Sequence, residues 1–191
     1  MTRQKVREQA FLLIFERVAL GERNEFSLDN ILAAAGEQAG YLKNIYDTVD
    51  DRLAFLERHI QKYAHKFKLE RIYRVDLSLM LLAMAEILFF DDVPDLVAVN
   101  EAIELAKRYS GEKSQKFIHG ILANIVSDKE RLLYLLDNPK EDVDDGAGCR
   151  VQGAENDELR ITNNENVGAV IDRQQSEDDK TKTGGKIWRA K

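Results

Sequence analysis

The groups in this chain that could do chemistry are few and poorly spaced for it. Its three histidines are His59, His65 and His119. His59 and His65 stand six residues apart, which does not set two imidazoles on one helical face as a His-Glu-x-x-His zinc motif does. No acidic constellation accompanies them, so they imply no metal, and both are expected at the surface of a helix and its exit. Cys149 is the single cysteine; it has no partner in the chain for a disulfide or a thiolate metal site, a pattern that fits a reducing cytosol. Residues 111–114, Gly-Glu-Lys-Ser, echo the end of a phosphate loop but lack its preceding glycine and strand. Asp91 and Asp92 sit in an expected turn and read as solvated acids. The expectation is a protein that is not an enzyme and takes no cofactor.

Binding residues are better represented. Arg3, Lys5 and Arg7 crowd the first two turns of an expected helix. Cations there oppose the helix dipole at about 0.3–1 kcal/mol each, so helix stability alone would prefer acids. The same end offers unpaired N–H groups to an anion, and the combination suits phosphate; the alternative is a frayed, solvated end. A second basic feature joins Lys113, Lys116, Phe117 and His119 at another loop-to-helix junction. An aromatic ring flanked by lysines suits single-stranded RNA, whose unstacked bases lie on rings. Taken alone, the helical spacing of Phe117 to Ile121 favours a core role for it.

The elements that carry these residues all read as helical. Val6, Ala10, Leu13, Ile14 and Val18 recur at helical spacing over 2–19, with Thr2 as cap and Gly21 as stop. A second helix is expected over 26–39, capped by Ser27 and stopped by Gly40. A third, over 41–63, steps by threes and fours with one break in phase. Residues 75–90 are apolar on nearly every side, as in a central helix. Asp-Val-Pro makes a turn, and 96–109 follows with Val97, Val99, Ala102, Ile103 and Ala106 inward. A loop at 110–113 leads to a helix capped by Ser114, and 129–136 is a short last helix or a continuation of that one. No segment alternates as a strand does. The expected fold is all-α, with about seven helices.

The chain has 191 residues, 44% of them hydrophobic, and two prolines, neither inside a long apolar-periodic segment. Its net charge is −6, of which −4 falls after residue 136 and −2 before it. The body is thus near neutral, and a local basic patch can still meet nucleic acid. The opening mixes charge into its apolar residues, unlike a signal peptide, and no apolar run reaches the roughly 18 residues of a membrane span. Residues 137–191 are polar, acidic and without apolar period, so they are expected to form a disordered tail after a helical domain at 1–136. Ile187-Trp188 within it could dock elsewhere.

Residues 93–125, VPDLVAVNEAIELAKRYSGEKSQKFIHGILANI, closely resemble the NusB family of bacterial antitermination factors. The matching positions are Val93, Pro94, Val97, Ala98, Asn100, Glu101, Ala102, Glu104, Leu105, Ala106, Lys107, Ser114, Lys116, Phe117, Gly120 and Leu122, in ungapped spacing. Arg7, Glu8 and Ala10 match the family's opening, and Glu86 its Tyr-Glu-Leu. The likeness spans about 2–135, strongest over 86–125.

The resemblance implies two small helical bundles packed side by side and RNA binding without catalysis. It implies a heterodimer with NusE, a ribosomal small-subunit protein. The pair would bind boxA RNA, notably in ribosomal RNA leaders, and join the elongating RNA polymerase. Carried over, the RNA face would be Arg3, Lys5, Arg7, Lys116 and Phe117, with His119 standing where the family has asparagine; Lys113 joins it from the basic junction read above. Asp76 and its neighbours would meet NusE. Gln4 in the opening, Leu81 for the family's arginine, and Asp95-Leu96 after the proline leave fewer cations for phosphate, hence a shallower salt dependence. The rival reading is a protein-interaction module of the same fold with weak or lost RNA binding. Self-association is left open.

Overall fold

The computed structural model describes residues 1–65 and 67–142, and every regular element in them is helical. The α-helices are α1 (Arg3–Leu20), α2 (Glu25–Ala35), α3 (Ala39–Asp51), α4 (Leu53–Tyr63), α5 (Arg74–Phe89), α6 (Asp95–Tyr109), α7 (Glu112–Ser127) and α8 (Lys129–Asp137). That is one more than expected, because the helix foreseen over 41–63 is two. Arg52, at φ −108° and ψ 11°, leaves the helical region at the break in phase. The turn lets Leu42, Ile45 and Val49 on α3 and Leu56 and Ile60 on α4 all reach the core.

Local signals explain most boundaries. The Thr2 hydroxyl accepts from the Lys5 N–H at 3.3 Å, and Gly21, at φ 79°, closes α1 in the left-handed conformation glycine tolerates. The α2 cap is Asn24 rather than Ser27: its side chain accepts from the Ser27 N–H at 3.3 Å. Gly36, at φ 63°, ends α2, so Gly40 lies within α3 rather than stopping a helix. Pro94 immediately precedes α6, and α7 starts at Glu112, two residues before the expected Ser114 cap. On α6, Val97 faces out, and Ala98 and Leu105 fill the inward stripe with Val99, Ala102 and Ala106.

Two helix groups share one core. Helices α1, α2 and α3 pack on one another, α7 packs against α4, α6 and α8, and α5 lies between the groups and touches both. Every α5 residue from Asp76 to Leu88 is buried, as its all-round apolarity required. The charged exceptions on it, Asp76 and Glu86, must therefore find partners inside the protein.

The body continues beyond residue 136. After α8 the chain turns at Asn138, and the Asp142 side chain is wholly buried against α4, paired with Arg58 and, at 2.9 Å, with Lys62. His59 is there too, contrary to its expected exposure: it is 2% exposed, with Nδ1 2.8 Å from the Phe55 carbonyl and Nε2 3.5 Å from Asp142. Burial, with the charges of Arg58, Lys62 and Arg131 nearby, brings its pKa down to about 4. Cys149, Ile187 and Trp188, and with them most of the expected tail, lie outside the described residues.

Candidate nucleic-acid interface

The residues expected to form one face divide into three environments. Arg7 is interior, at 4% exposure. Its Nε donates to both Glu86 oxygens at 2.9 and 3.0 Å, and its Nη1 lies 3.3 Å from Glu101 Oε2. The Tyr41 hydroxyl donates to Glu86 as well. Burial works against the charge on Arg7, but Glu86, with Tyr41 and Glu101, more than offsets it and holds its pKa above the ordinary arginine range. Burial and the Glu86 charge likewise push the Tyr41 hydroxyl well up. This is a network fixing α1 to α3, α5 and α6, and it removes Arg7 from any surface that meets phosphate.

Arg3 and Lys5 stay at the surface but have partners. Arg3 Nη2 lies 2.8 Å from Asp92 Oδ2, and its guanidinium sits 3.6 Å over the Tyr41 ring. Lys5 Nζ donates to Glu8 Oε2 at 2.9 Å. Glu8, only 7% exposed, also accepts from Tyr109 at 2.5 Å and Arg108 at 3.0 Å. The bonds from Lys5 and Tyr109 hold its carboxyl below the usual range. Lys5, with its side chain 54% exposed, is the most open of the three donors to Glu8, and turning to a phosphate would leave Tyr109 and Arg108 on that carboxylate.

The α7 residues are the most open. Lys113, Lys116 and His119 are exposed, and the contact of Lys116 with Glu112 is loose, at 3.7 Å between two highly exposed side chains. Phe117 is half-buried against the core, and its outer side meets Phe67, with ring centroids 5.4 Å apart and planes at 75°. Phe117 thus packs on the core and on the aromatic ring of residue 67 at once. The two cationic regions are linked at the end of α6, where Arg108 and Tyr109 reach Glu8 on α1 and the chain passes through Ser110 and Gly111 into α7.

Asp76 is not open to a partner either. It is 2% exposed, and its Oδ1 accepts from the Ser110 hydroxyl at 2.6 Å. It anchors the α6–α7 junction to the first turn of α5, where a carboxylate also suits the helix dipole. The exposed residues beside it are Tyr73, at 75%, and Arg74.

Two of these placements had a signal in the sequence. Arg7 falls in phase with the apolar stripe of α1, and Glu86 lies within an apolar helix, which together predict a buried pair. Phe67 and Arg108 had none, because their roles depend on which helix ends meet. Among the described residues no three His, Cys, Asp or Glu side chains gather as metal ligands would, and no helix is long and apolar enough to cross a membrane. An open cleft of about 530 Å³ lies between the start of α1 and α6, lined by Lys5, Glu8, Glu101 and Arg108 among others.

Fold and surface together define a protein whose described residues form an all-helical body with exposed cations at helix ends. The NusB family model matches residues 4–127. The transcription antitermination protein NusB of Lachnoclostridium phytofermentans is 39% identical over 131 residues, covering 66% of this chain and 99% of its own length. That of Natranaerobius thermophilus is 35% identical over 133 residues, covering 66% and 96%. Among solved structures, T. maritima NusB aligns with a TM-score of 0.63 at 31% identity, over 71% of this chain and 99% of its own. A crystal structure of antitermination factors NusB and NusE in complex with dsRNA shares the fold, with a TM-score of 0.59 at 22% identity over 66% and 98%. The chain belongs to the NusB family.

Proposed function

We propose that this protein is a transcription antitermination factor. It binds boxA-type single-stranded RNA together with a NusE-type ribosomal small-subunit protein. It then joins the elongating RNA polymerase in the cytoplasm, notably on ribosomal RNA operons. The observation that carries this is the exposed start of α7, where Lys113, Lys116 and His119 are open to solvent, Phe117 meets the Phe67 ring, and the acidic contact among the described residues is the loose one of Lys116 with Glu112. Lysines supply phosphate contacts and the rings supply stacking. Arg3 and Lys5 extend the face across Arg108, while Arg7 holds the helix that presents them. The NusE-type partner meets the exposed start of α5, at Tyr73 and Arg74, with Asp76 bracing it from within.

The test is a titration of boxA RNA with and without the NusE-type partner. Wild type binds weakly alone and more tightly in the pair. Lys113→Glu with Lys116→Glu removes two phosphate contacts, which weakens binding and lowers the salt slope by about 1.4. Unchanged affinity in that variant refutes the assigned face. A second reading, a partner-binding module without RNA contact, draws on the acidic partners of Arg3 and Lys5. Capture of the partner with no RNA retention at any salt would select it.

A further inference from the structure

The loop between α4 and α5 carries an aromatic residue that the core does not require. Phe67 is 49% exposed and makes its ring contact with Phe117, which is itself half-buried. A single exposed apolar side chain is ordinary, but Phe67 is paired with a second ring and followed in sequence by the exposed Lys68.

The loop is held in shape. Gln61, on the last turn of α4, donates through Nε2 to the Phe67 carbonyl at 2.7 Å, and its Oε1 accepts from the Leu69 N–H. The Phe67 N–H bonds the Ala64 carbonyl at 2.7 Å. One amide side chain thus clamps the backbone on both sides of residue 68. Residue 67 therefore keeps its place before any ligand arrives, which lowers the ordering entropy of binding.

The surroundings favour an anionic chain with flat groups. Lys68 follows Phe67 directly and Arg71 follows one short turn later; both are exposed, as are Lys113 and Lys116 on α7. Lys113 lies one helical turn before Phe117, on the same side of α7. Glu70 and Glu112 are the acids in these two segments, against four cations. A protein partner with an apolar anchor would not need that excess. A single strand of RNA would use both features, phosphates on the cations and a base on the ring.

We infer that Phe67 is a base-stacking residue for single-stranded RNA, buttressed by Phe117 and positioned by Gln61, with Lys68 and Arg71 contacting the adjoining phosphates. This rests on the RNA-binding reading above and extends that surface from α7 onto the α4–α5 loop.

The full chain, with its NusE-type partner, is titrated against a boxA-type oligonucleotide carrying 2-aminopurine at successive positions. Phe67→Leu keeps an apolar side chain against Phe117 but removes the ring. It is expected to weaken binding roughly 5- to 150-fold, the range for loss of one stacked base. The salt slope should not change, and fluorescence quenching at one 2-aminopurine position should disappear. Phe67→Trp should keep the quenching and most of the affinity. Arg71→Glu should lower the salt slope while leaving that quenching at saturation. Gln61→Leu should weaken binding less than Phe67→Leu, with the same position affected.

The inference is overturned if Phe67→Leu binds within twofold of wild type with its quenching intact. In that case, loss of binding in the Lys113→Glu and Lys116→Glu variant shows that only the extension has failed. Wild-type binding in both variants overturns the RNA reading and this inference together.

Discussion

Arg7→Met puts the buried network at the start of α1 to the test. Glu86 has no exposed side-chain surface and takes three contacts from Arg7, two from Nε and one from Nη2 at 2.8 Å. Methionine fills much of the volume and leaves a carboxylate with the Tyr41 hydroxyl as its remaining donor of those described. Breaking a buried pair by removing one partner destabilises by about 3–5 kcal/mol, because the other charge stays buried. In a body of this size that lowers the thermal midpoint by roughly 10–15 °C. Adding Glu86→Gln removes the stranded charge while keeping an acceptor for Tyr41. The double variant should therefore be more stable than Arg7→Met by at least about 1 kcal/mol, a coupling expected of residues in one network. Urea unfolding of the four proteins closes the cycle. A loss under about 1 kcal/mol in Arg7→Met, or a double variant no better than the single, refutes the buried pair. An unchanged midpoint with weakened RNA binding would return Arg7 to the surface. Arg7→Glu is unsuitable as an RNA-binding variant for the same reason: it sets a third carboxylate between Glu86 and Glu101.

His59 makes stability pH-dependent. Its folded pKa of about 4 lies below the ordinary 6.5, so the unfolded chain binds the extra proton first. The contribution is fully present above pH 6.5 and declines as pH falls toward 4, by on the order of 2–3 kcal/mol. His59→Gln should flatten that part of the urea-midpoint profile. Two glycine substitutions should move stability in opposite directions. Gly21→Ala forces a Cβ into φ 79° and should cost about 1 kcal/mol, whereas Gly120→Ala, in an exposed helical position with open space around it, should add roughly 0.5–1 kcal/mol; thermal melts of the two report the signs. Asp142→Ala should destabilise the body by about 1 kcal/mol or less in urea unfolding, because Arg58 and Lys62 lose a buried partner but keep access to water.

The helices were legible because each depends on its own residues. The apolar stripes of α1, α6 and α7, the all-round apolarity of α5, and the Thr2 and Gly21 ends are local patterns, and the resemblance over residues 93–125 carried the family. The errors fell where two local signals competed. Gly36 and Gly40 both could stop α2, and the phase break at Arg52 could have been absorbed in one helix. Cations could be placed on a helix in advance, but their orientation could not. Arg3, Lys5 and Arg7 share two turns of α1, yet Arg7 turns inward because Glu86 lies buried on α5, 79 residues away in sequence. The sequence by itself determined an all-helical body, its central helix and the basic start of α7. Tertiary structure alone decided which charges are structural and which are open, and it brought Phe67 against Phe117 and Asp142 into α4. The physical reason is that a charged or aromatic side chain is assigned its role by what packs against it, and those partners come from distant parts of the chain.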